Sequence, residues 1–251
     1  LTVFVPERHI VSDRLRADGA GGIVRTVFGP VGDPSPALLA AWDNLATRAA
    51  EPNTFAERWF VLPAARHLEA RAELHLLEVW HGDAGEAELV ALMPLARGWK
   101  YGHLRVAHVT NWDHYQSFLG TPLIAVGWEQ RAWEAMLAAL AGMPWARNFL
   151  HWGGLVEHGP VHRGLIAAAR GRCDTVYRTE RAFLHSDLSP EDYYAQTVRK
   201  KKRKEINRLS ARLNEHGTIT NRQLSDGEPL GPWIDAFLSL EQAGWKGERG
   251  A

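Results

Sequence analysis

The segment SPEDYYAQTVRKKKRKEINRLSARLNEHG, residues 189–217, sets the organisation of the second half of this chain. It predicts one amphipathic helix with a signal at each end. Ser189 is a favoured N-cap and Pro190 a favoured first helical residue, while Gly217 can adopt the left-handed backbone that ends a helix. Apolar residues recur at helical spacing and predict one buried stripe, interrupted at Lys202: Tyr194, Val198, Ile206, Leu209 and Leu213.

The same segment concentrates positive charge. From residue 199 to residue 212 eight basic side chains stand against one acid, Glu205. The basic residues are Arg199, Lys200, Lys201, Lys202, Arg203, Lys204, Arg208 and Arg212. Such a density favours an anionic partner. The simpler alternative is a solvated helix face.

The apolar stripe also orders the basic residues by their expected roles. Arg199, Lys202 and Arg203 are three to four residues apart and are predicted to lie on or beside the buried edge of the helix. Their stems would pack there while their charged heads reach a cleft and contact the anionic group of an acceptor. Lys200 and Lys204 are predicted to point into solvent.

Whole-chain composition limits the classes of function. The 251 residues are 45% hydrophobic, and 29 Lys and Arg balance 29 Asp and Glu, so the basic segment is a local feature. A purely electrostatic nucleic-acid binder is therefore disfavoured. Cys173 is the single cysteine, which excludes a disulfide framework and suits a reducing, cytoplasmic location. No apolar run is long enough to span a membrane, and the twelve histidines lack the HExxH spacing of a metal site.

Upstream of the basic segment, the hydrophobic periodicity predicts an α/β (α+β) fold, with a mixed sheet flanked by helices. The order is a strand, two helices, a series of strands, then helix and strand in alternation. Predicted strands are 22–28, 73–80, 88–95, 103–110, 118–126, 148–152 and 175–184, with a further short strand at 218–223. Thr54 and Glu57 have the spacing of a capping box before the second helix, which Pro63 is expected to kink.

A loop between two predicted strands carries the most chemically interesting side chains. Asp113, His114 and Tyr115 lie at a strand-to-strand connection, where binding residues collect, and Asp113 with His114 could form an acid/base pair. The alternative is an ordinary loop with an anchoring aromatic residue. Trp112 and Trp245 are candidates for a binding platform, whereas core spacing is predicted for four other tryptophans: Trp42, Trp59, Trp133 and Trp233.

Two segments give the chain a resemblance to a known family. Residues 188–224, LSPEDYYAQTVRKKKRKEINRLSARLNEHGTITNRQL, and residues 233–251, WIDAFLSLEQAGWKGERGA, resemble the CelD-like acetyltransferases of the GNAT superfamily. The pattern is a tyrosine-containing helix start, a basic helix, a strand, and a helix ending in Trp-Lys-Gly. Residues 55–59 and 120–123 fit the first half of the same family.

The resemblance implies two tandem GNAT-like domains with a cleft between them, as in FemABX enzymes. Residues 1–183 would form the first domain, and residues 184–251 would begin a second that is incomplete in this sequence. The implied activity is acyl transfer from acetyl-CoA or another acyl-CoA to a small, nucleotide-linked or cell-envelope acceptor, in the setting of polysaccharide biosynthesis. The acyl-CoA site would lie mostly beyond Ala251. No catalytic residue can be assigned from the sequence.

A different class of function remains open. Residues 199–212 could serve as an RNA- or tRNA-binding module, or belong to a FemABX-like transferase that uses aminoacyl-tRNA. The neutral total charge and the lack of aromatic residues among the basic ones disfavour this alternative, because single-stranded nucleic acids bind by stacking as well as by charge.

Overall fold

The computed structural model describes residues 9–14, 23–68, 74–83, 85–112, 116–143, 146 and 148–250. The chain divides into two compact units, Leu1–Arg178 and Thr179–Ala251, which we call unit 1 and unit 2. The predicted domain boundary at residues 183 and 184 lies in the exposed coil just after this division. The identity of either unit as a GNAT-like domain stays a prediction.

Unit 1 contains an open mixed sheet. Its strands are β1 (His9–Arg14), β2 (Val24–Pro30), β3 (His75–His81), β4 (Glu88–Gly98), β5 (His108–Asn111), β6 (Leu123–Ile124) and β7 (Leu150–His151). The spatial order is β1-β2-β3-β4-β5-β7, and β6 also pairs with β4. Neighbours from β1 to β5 are antiparallel, whereas β5 and β7 are parallel. The predicted mixed sheet flanked by helices is thus confirmed.

Four helices accompany this sheet: α1 (Pro36–Thr47), α2 (Arg58–His67), α3 (Glu129–Ala141) and α4 (Pro160–Ala169). Strands β3 and β4 are buried along most of their length, which is why their sequences read as nearly continuous apolar runs. Helix α3 connects the antiparallel series to β7, because a parallel pair requires a crossover.

Two tryptophans fix the helices to their surroundings. Trp42 of α1 and Trp133 of α3 are fully buried, as their helical spacing predicts. The indole Nε1 of Trp42 donates to the carbonyl oxygen of Ala56 at 2.9 Å, and that of Trp133 donates to the carbonyl oxygen of Val161 at 2.9 Å. Each ring thus combines a large apolar burial with a satisfied polar atom. The prediction that Trp59 is also a core residue is wrong, since its side chain is largely exposed.

The predicted capping box before α2 is also wrong. Asn53 provides the cap, because its side-chain oxygen accepts a hydrogen bond from the amide of Phe55 at 3.0 Å and starts a short 3₁₀ turn, Thr54–Ala56. Helix α2 begins only at Arg58, after Glu57 in extended backbone. Asparagine is as good a capping residue as serine, and the sequence offered both Asn53 and Thr54 one position apart. Pro63 lies inside α2, which continues through it to His67, so the predicted interruption is absent and the predicted kink stays a prediction.

Unit 2 is helical in its described part. It contains α5 (Pro190–Thr197), α6 (Lys200–Asn214), α7 (Gly231–Ala243) and the short α8 (Trp245–Glu248), and none of their side chains is buried. The predictions of strands at 175–184 and 218–223 are wrong, since both segments are exposed coil. Apolar alternation marks a strand only where a neighbouring strand supplies hydrogen bonds.

The prediction of one helix across residues 189–217 is wrong in a specific way. Ser189 does cap the start, with its Oγ accepting from the amide of Asp192 at 3.1 Å. The helix then stops at Thr197, whose hydroxyl donates back to the carbonyl of Tyr193 at 2.6 Å, and Val198 is extended. Two adjacent β-branched residues disfavour continuation, so the basic residues begin a new helix, α6, with Arg199 at its N-cap position and no side-chain capping hydrogen bond.

Among the described residues, no helix combines the length and the apolar character that crossing a bilayer requires.

The buried hydrogen bond of Trp133 predicts a measurable loss of stability. We expect Trp133→Phe to lower the free energy of unfolding by about 1–3 kcal/mol, because the carbonyl of Val161 loses its donor and a cavity opens. Trp59→Phe makes the same chemical change at an exposed position and should cost less than about 0.5 kcal/mol. Urea denaturation, followed by circular dichroism, measures the free energy of unfolding of both variants. Equal losses would contradict a stabilising role for the Trp133 hydrogen bond.

Candidate functional site

The carboxyl end of the parallel pair β5–β7 is organised around one buried amide. Asn111, the last residue of β5, donates from Nδ2 to the carbonyl oxygens of Gly120 and Gly153, both at 2.8 Å. Its Oδ1 accepts from the amide of Gly153 at 2.9 Å. Both donors and the acceptor of the side chain are therefore used, and three separated segments of chain meet at one point.

Glycines allow these segments to approach so closely. A Cβ atom at Gly120 would collide with Nδ2 of Asn111 and with the carbonyl oxygen of Gly153. The amide of Gly120 also donates to the carbonyl of Gly154 at 2.9 Å, and Gly154 has a φ of 68°. We call Asn111, Gly120, Gly153 and Gly154 the asparagine junction. Sequence reasoning missed it, although Gly120 stood in a segment noted for its family resemblance.

The loop that sequence reasoning singled out begins directly after this junction. Asp113, His114 and Tyr115 follow β5 along the chain but lie outside the described residues. Ligands of α/β proteins bind preferentially at the carboxyl ends of strands, and the end of a parallel pair is such a place. Trp112 is buried, so the prediction that it forms an open binding platform is wrong.

The amino end of the same strand carries an aromatic cluster with a structural role. His108 is buried and stacks on Phe149, with ring centroids 4.8 Å apart and an angle of 4°. Tyr101 meets both rings edge-on, and it also contacts His151 at 5.3 Å. The Nδ1–H of His108 donates to the carbonyl of Val106 at 3.0 Å, so this polar atom of the buried ring has a partner. Gly98 lies directly against this imidazole, where a side chain would collide.

In unit 2, helix α6 presents the basic residues that the sequence predicted as an anion-binding surface. Arg203 is half-buried, and its Nε is shielded from solvent with no hydrogen-bond acceptor among the described residues. Arg199 and Lys202 are exposed, as are Lys200 and Lys204. The predicted contrast between a buried edge and a solvent edge therefore applies to Arg203 alone. The reason is that the apolar stripe itself is not buried.

Helix α6 has little internal charge compensation. Lys202 forms an ion pair with Glu205 at 3.5 Å between exposed side chains, a geometry that contributes little to stability. Within the described part of the chain, the other seven basic residues from 199 to 212 make no ion pair within 4.0 Å. Four of the eight are spaced at i, i+4 along one side, and we call them the basic row: Lys200, Lys204, Arg208 and Arg212.

Trp245 is the one platform candidate that the structure leaves accessible. It begins α8 and is 64% exposed. The guanidinium carbon of Arg249 lies 5.2 Å from the ring centroid, within the range of a cation–π interaction. Lys246, its neighbour, pairs with Glu241 of α7 and ties the two helices together. The indole face can accept a planar or cationic group.

Among the described residues, three groups have a pKa that is shifted from its ordinary value. Arg178, at the end of unit 1, donates from Nε to both carboxylate oxygens of Glu157 at 2.8 and 3.0 Å, which lowers the pKa of that exposed carboxyl. A hydrogen bond to Asp43 raises the pKa of Arg58. Burial raises the pKa of the Cys173 thiol, which makes it a poor nucleophile at neutral pH. Among the described residues, no group of three His, Cys, Asp or Glu side chains could hold a metal ion.

Comparison of the chain with models of protein families, with curated proteins and with solved structures finds no match.

The asparagine junction predicts a strong sensitivity to one methyl group. Gly120→Ala should lower the free energy of unfolding by roughly 2 kcal/mol or more, because the new Cβ displaces Asn111 or Gly153 and breaks their hydrogen bonds. Gly142→Ala is the matched control: a Cβ there meets only ordinary contact, 3.6 Å from the carbonyl of Ala139, and its backbone is right-handed helical. It should be neutral or stabilising. Chemical denaturation measures both.

Proposed function

We propose that this chain belongs to an acyl-CoA-dependent acyltransferase of the CelD-like GNAT type, acting in the cytoplasm on a small, nucleotide-linked or cell-envelope acceptor. The observation that carries the proposal is the order of elements in unit 1. From β2 onward, a strand and two helices precede antiparallel strands, and helix α3 then crosses to a parallel strand. This is the order that the family resemblance implies for the first domain.

The proposed chemistry is direct transfer. An amine or hydroxyl of the acceptor attacks the thioester carbonyl, a general base takes its proton, and backbone N–H groups stabilise the oxyanion. The acyl bond to sulfur breaks as the new bond forms, and the CoA thiol leaves. Asp113, His114 and Tyr115 carry groups suited to proton transfer and follow Asn111 and Trp112 along the chain. The asparagine junction supplies the rigid base that such a loop needs.

Unit 2, taken by itself, carries candidate groups for binding an acceptor. Arg203 combines a half-buried stem with a guanidinium that can bind a phosphate or carboxylate in two-point fashion. Trp245 offers an exposed aromatic face for a ring of the acceptor. Arg199 and Lys202 remain candidates for the same anionic group.

Calorimetric titration of the full-length protein with acetyl-CoA and with longer acyl-CoAs tests the proposal. We expect saturable binding of at least one acyl-CoA, and release of free CoA thiol when the correct acceptor is present. His114→Ala should lower the rate of transfer by a factor of about 100 or more while acyl-CoA binding stays unchanged, as for loss of a general base. His103→Ala, an exposed histidine of the same unit, is the control. Absence of binding by every acyl-CoA would refute the enzyme proposal.

The second candidate function is binding of RNA or tRNA by the basic row. If its side chains neutralised phosphates, the logarithm of affinity would fall with the logarithm of salt concentration by about 0.7–0.9 per contact. We expect instead a flat or absent response, measured by fluorescence anisotropy of a labelled RNA across a salt series. A slope near 3 that Lys204→Gln reduces by about one contact would favour the nucleic-acid function.

A further inference from the structure

The basic row is a feature that the proposed acyl transfer does not use. Lys200, Lys204, Arg208 and Arg212 form three successive i, i+4 pairs of like charge on α6. Such pairs weaken a helix, and no acidic residue lies in its first turn to offset the dipole. A helix that retains this arrangement is suited to a partner that supplies negative charge.

The length of the row restricts the shape of that partner. From residue 200 to residue 212 an α-helix advances roughly 18 Å. One carboxylate or phosphate of a small acceptor can meet only one or two of these side chains. An anionic surface that extends along the whole helix attracts all of them, including those that do not touch it.

Exposed apolar side chains on the same helix select the kind of surface. Ile206, Leu209 and Leu213 are 36%, 49% and 58% exposed. Arg203 lies three residues before Ile206, and Arg212 three residues after Leu209, so cations flank the stripe on both sides. A nucleic acid would leave the stripe in water, and residues 199–214 contain no aromatic ring for base stacking.

We propose that α6 docks on an anionic phospholipid surface, parallel to the plane of the membrane. Ile206, Leu209 and Leu213 enter the boundary between headgroups and acyl chains, and the flanking cations meet lipid phosphates. A polar helix rich in Lys and Arg with a narrow apolar face has the composition of such interfacial helices. This docking is peripheral, and its test does not require acyl transfer.

Sedimentation of the full chain with vesicles tests the proposal. The chain should bind vesicles that contain phosphatidylglycerol and not vesicles of pure phosphatidylcholine. The double variant Arg208→Gln/Arg212→Gln, which removes the two cations of the basic row nearest the stripe, should bind about 25-fold more weakly, at about fivefold per basic residue. Leu209→Gln keeps the charge and should weaken binding by about tenfold through lost apolar burial. Lys100→Gln/Arg105→Gln, which removes two exposed cations of unit 1, is the matched control and should bind normally.

The outcomes are distinguishable because all these side chains are exposed and glutamine is as good a helix former as arginine. Unchanged melting by circular dichroism verifies that the variants fold.

Absence of binding to anionic vesicles overturns the proposal, and so does binding that Leu209→Gln leaves intact. A dimer in analytical ultracentrifugation that Leu209→Gln abolishes would assign the stripe to a second copy instead. RNA binding that survives Leu209→Gln would assign the row to nucleic acid. Failure of acyl-CoA binding leaves the vesicle result unaffected.

Discussion

The hydrogen bonds of Asn111 hold together the part of unit 1 on which its function is proposed to depend. Strand β5 has only four residues and β7 only two, so few ladder hydrogen bonds join the parallel pair. The buried amide adds three bonds to backbone groups of Gly120 and Gly153. An unsatisfied buried amide would be destabilising, so this junction forms completely or the end of the sheet opens.

The two units differ in how their polar and apolar groups are used. In unit 1 the indoles of Trp42 and Trp133, the amide of Asn111 and the imidazole of His108 are buried, and each forms a hydrogen bond. In unit 2 the helices carry apolar stripes and charges that the described residues leave exposed. Unit 1 therefore has a buried core, and we propose unit 2 as the surface that meets other molecules. Both proposals for α6 depend on this contrast.

Much of the fold follows from local pattern, and much of the candidate site does not. The spacing of Leu38, Trp42 and Leu45 predicts α1 and its buried face, which the structure confirms. The alternation of apolar and polar residues at 175–184 is as regular, yet this segment forms no strand. A strand needs a neighbouring strand to pair with, and the periodicity of one segment does not show whether such a neighbour is present. The break at Val198 was readable from two adjacent β-branched residues, but the end signals and the apolar stripe that includes Val198 favoured one helix. Asn111 gave no signal, since its partners are separated from it by nine and forty-two residues.

The self-repulsion along α6 has a consequence for how this segment responds to its medium. Dissolved salt screens the like-charged pairs of the basic row, so rising ionic strength stabilises the helix itself. The same salt screens attraction between the row and any anionic partner, so it weakens docking. Folding of the segment and its association therefore respond to ionic strength with opposite signs. At low ionic strength the helix alone is least stable, and its attraction to an anionic partner is strongest. Binding of such a partner would then stabilise the helix most.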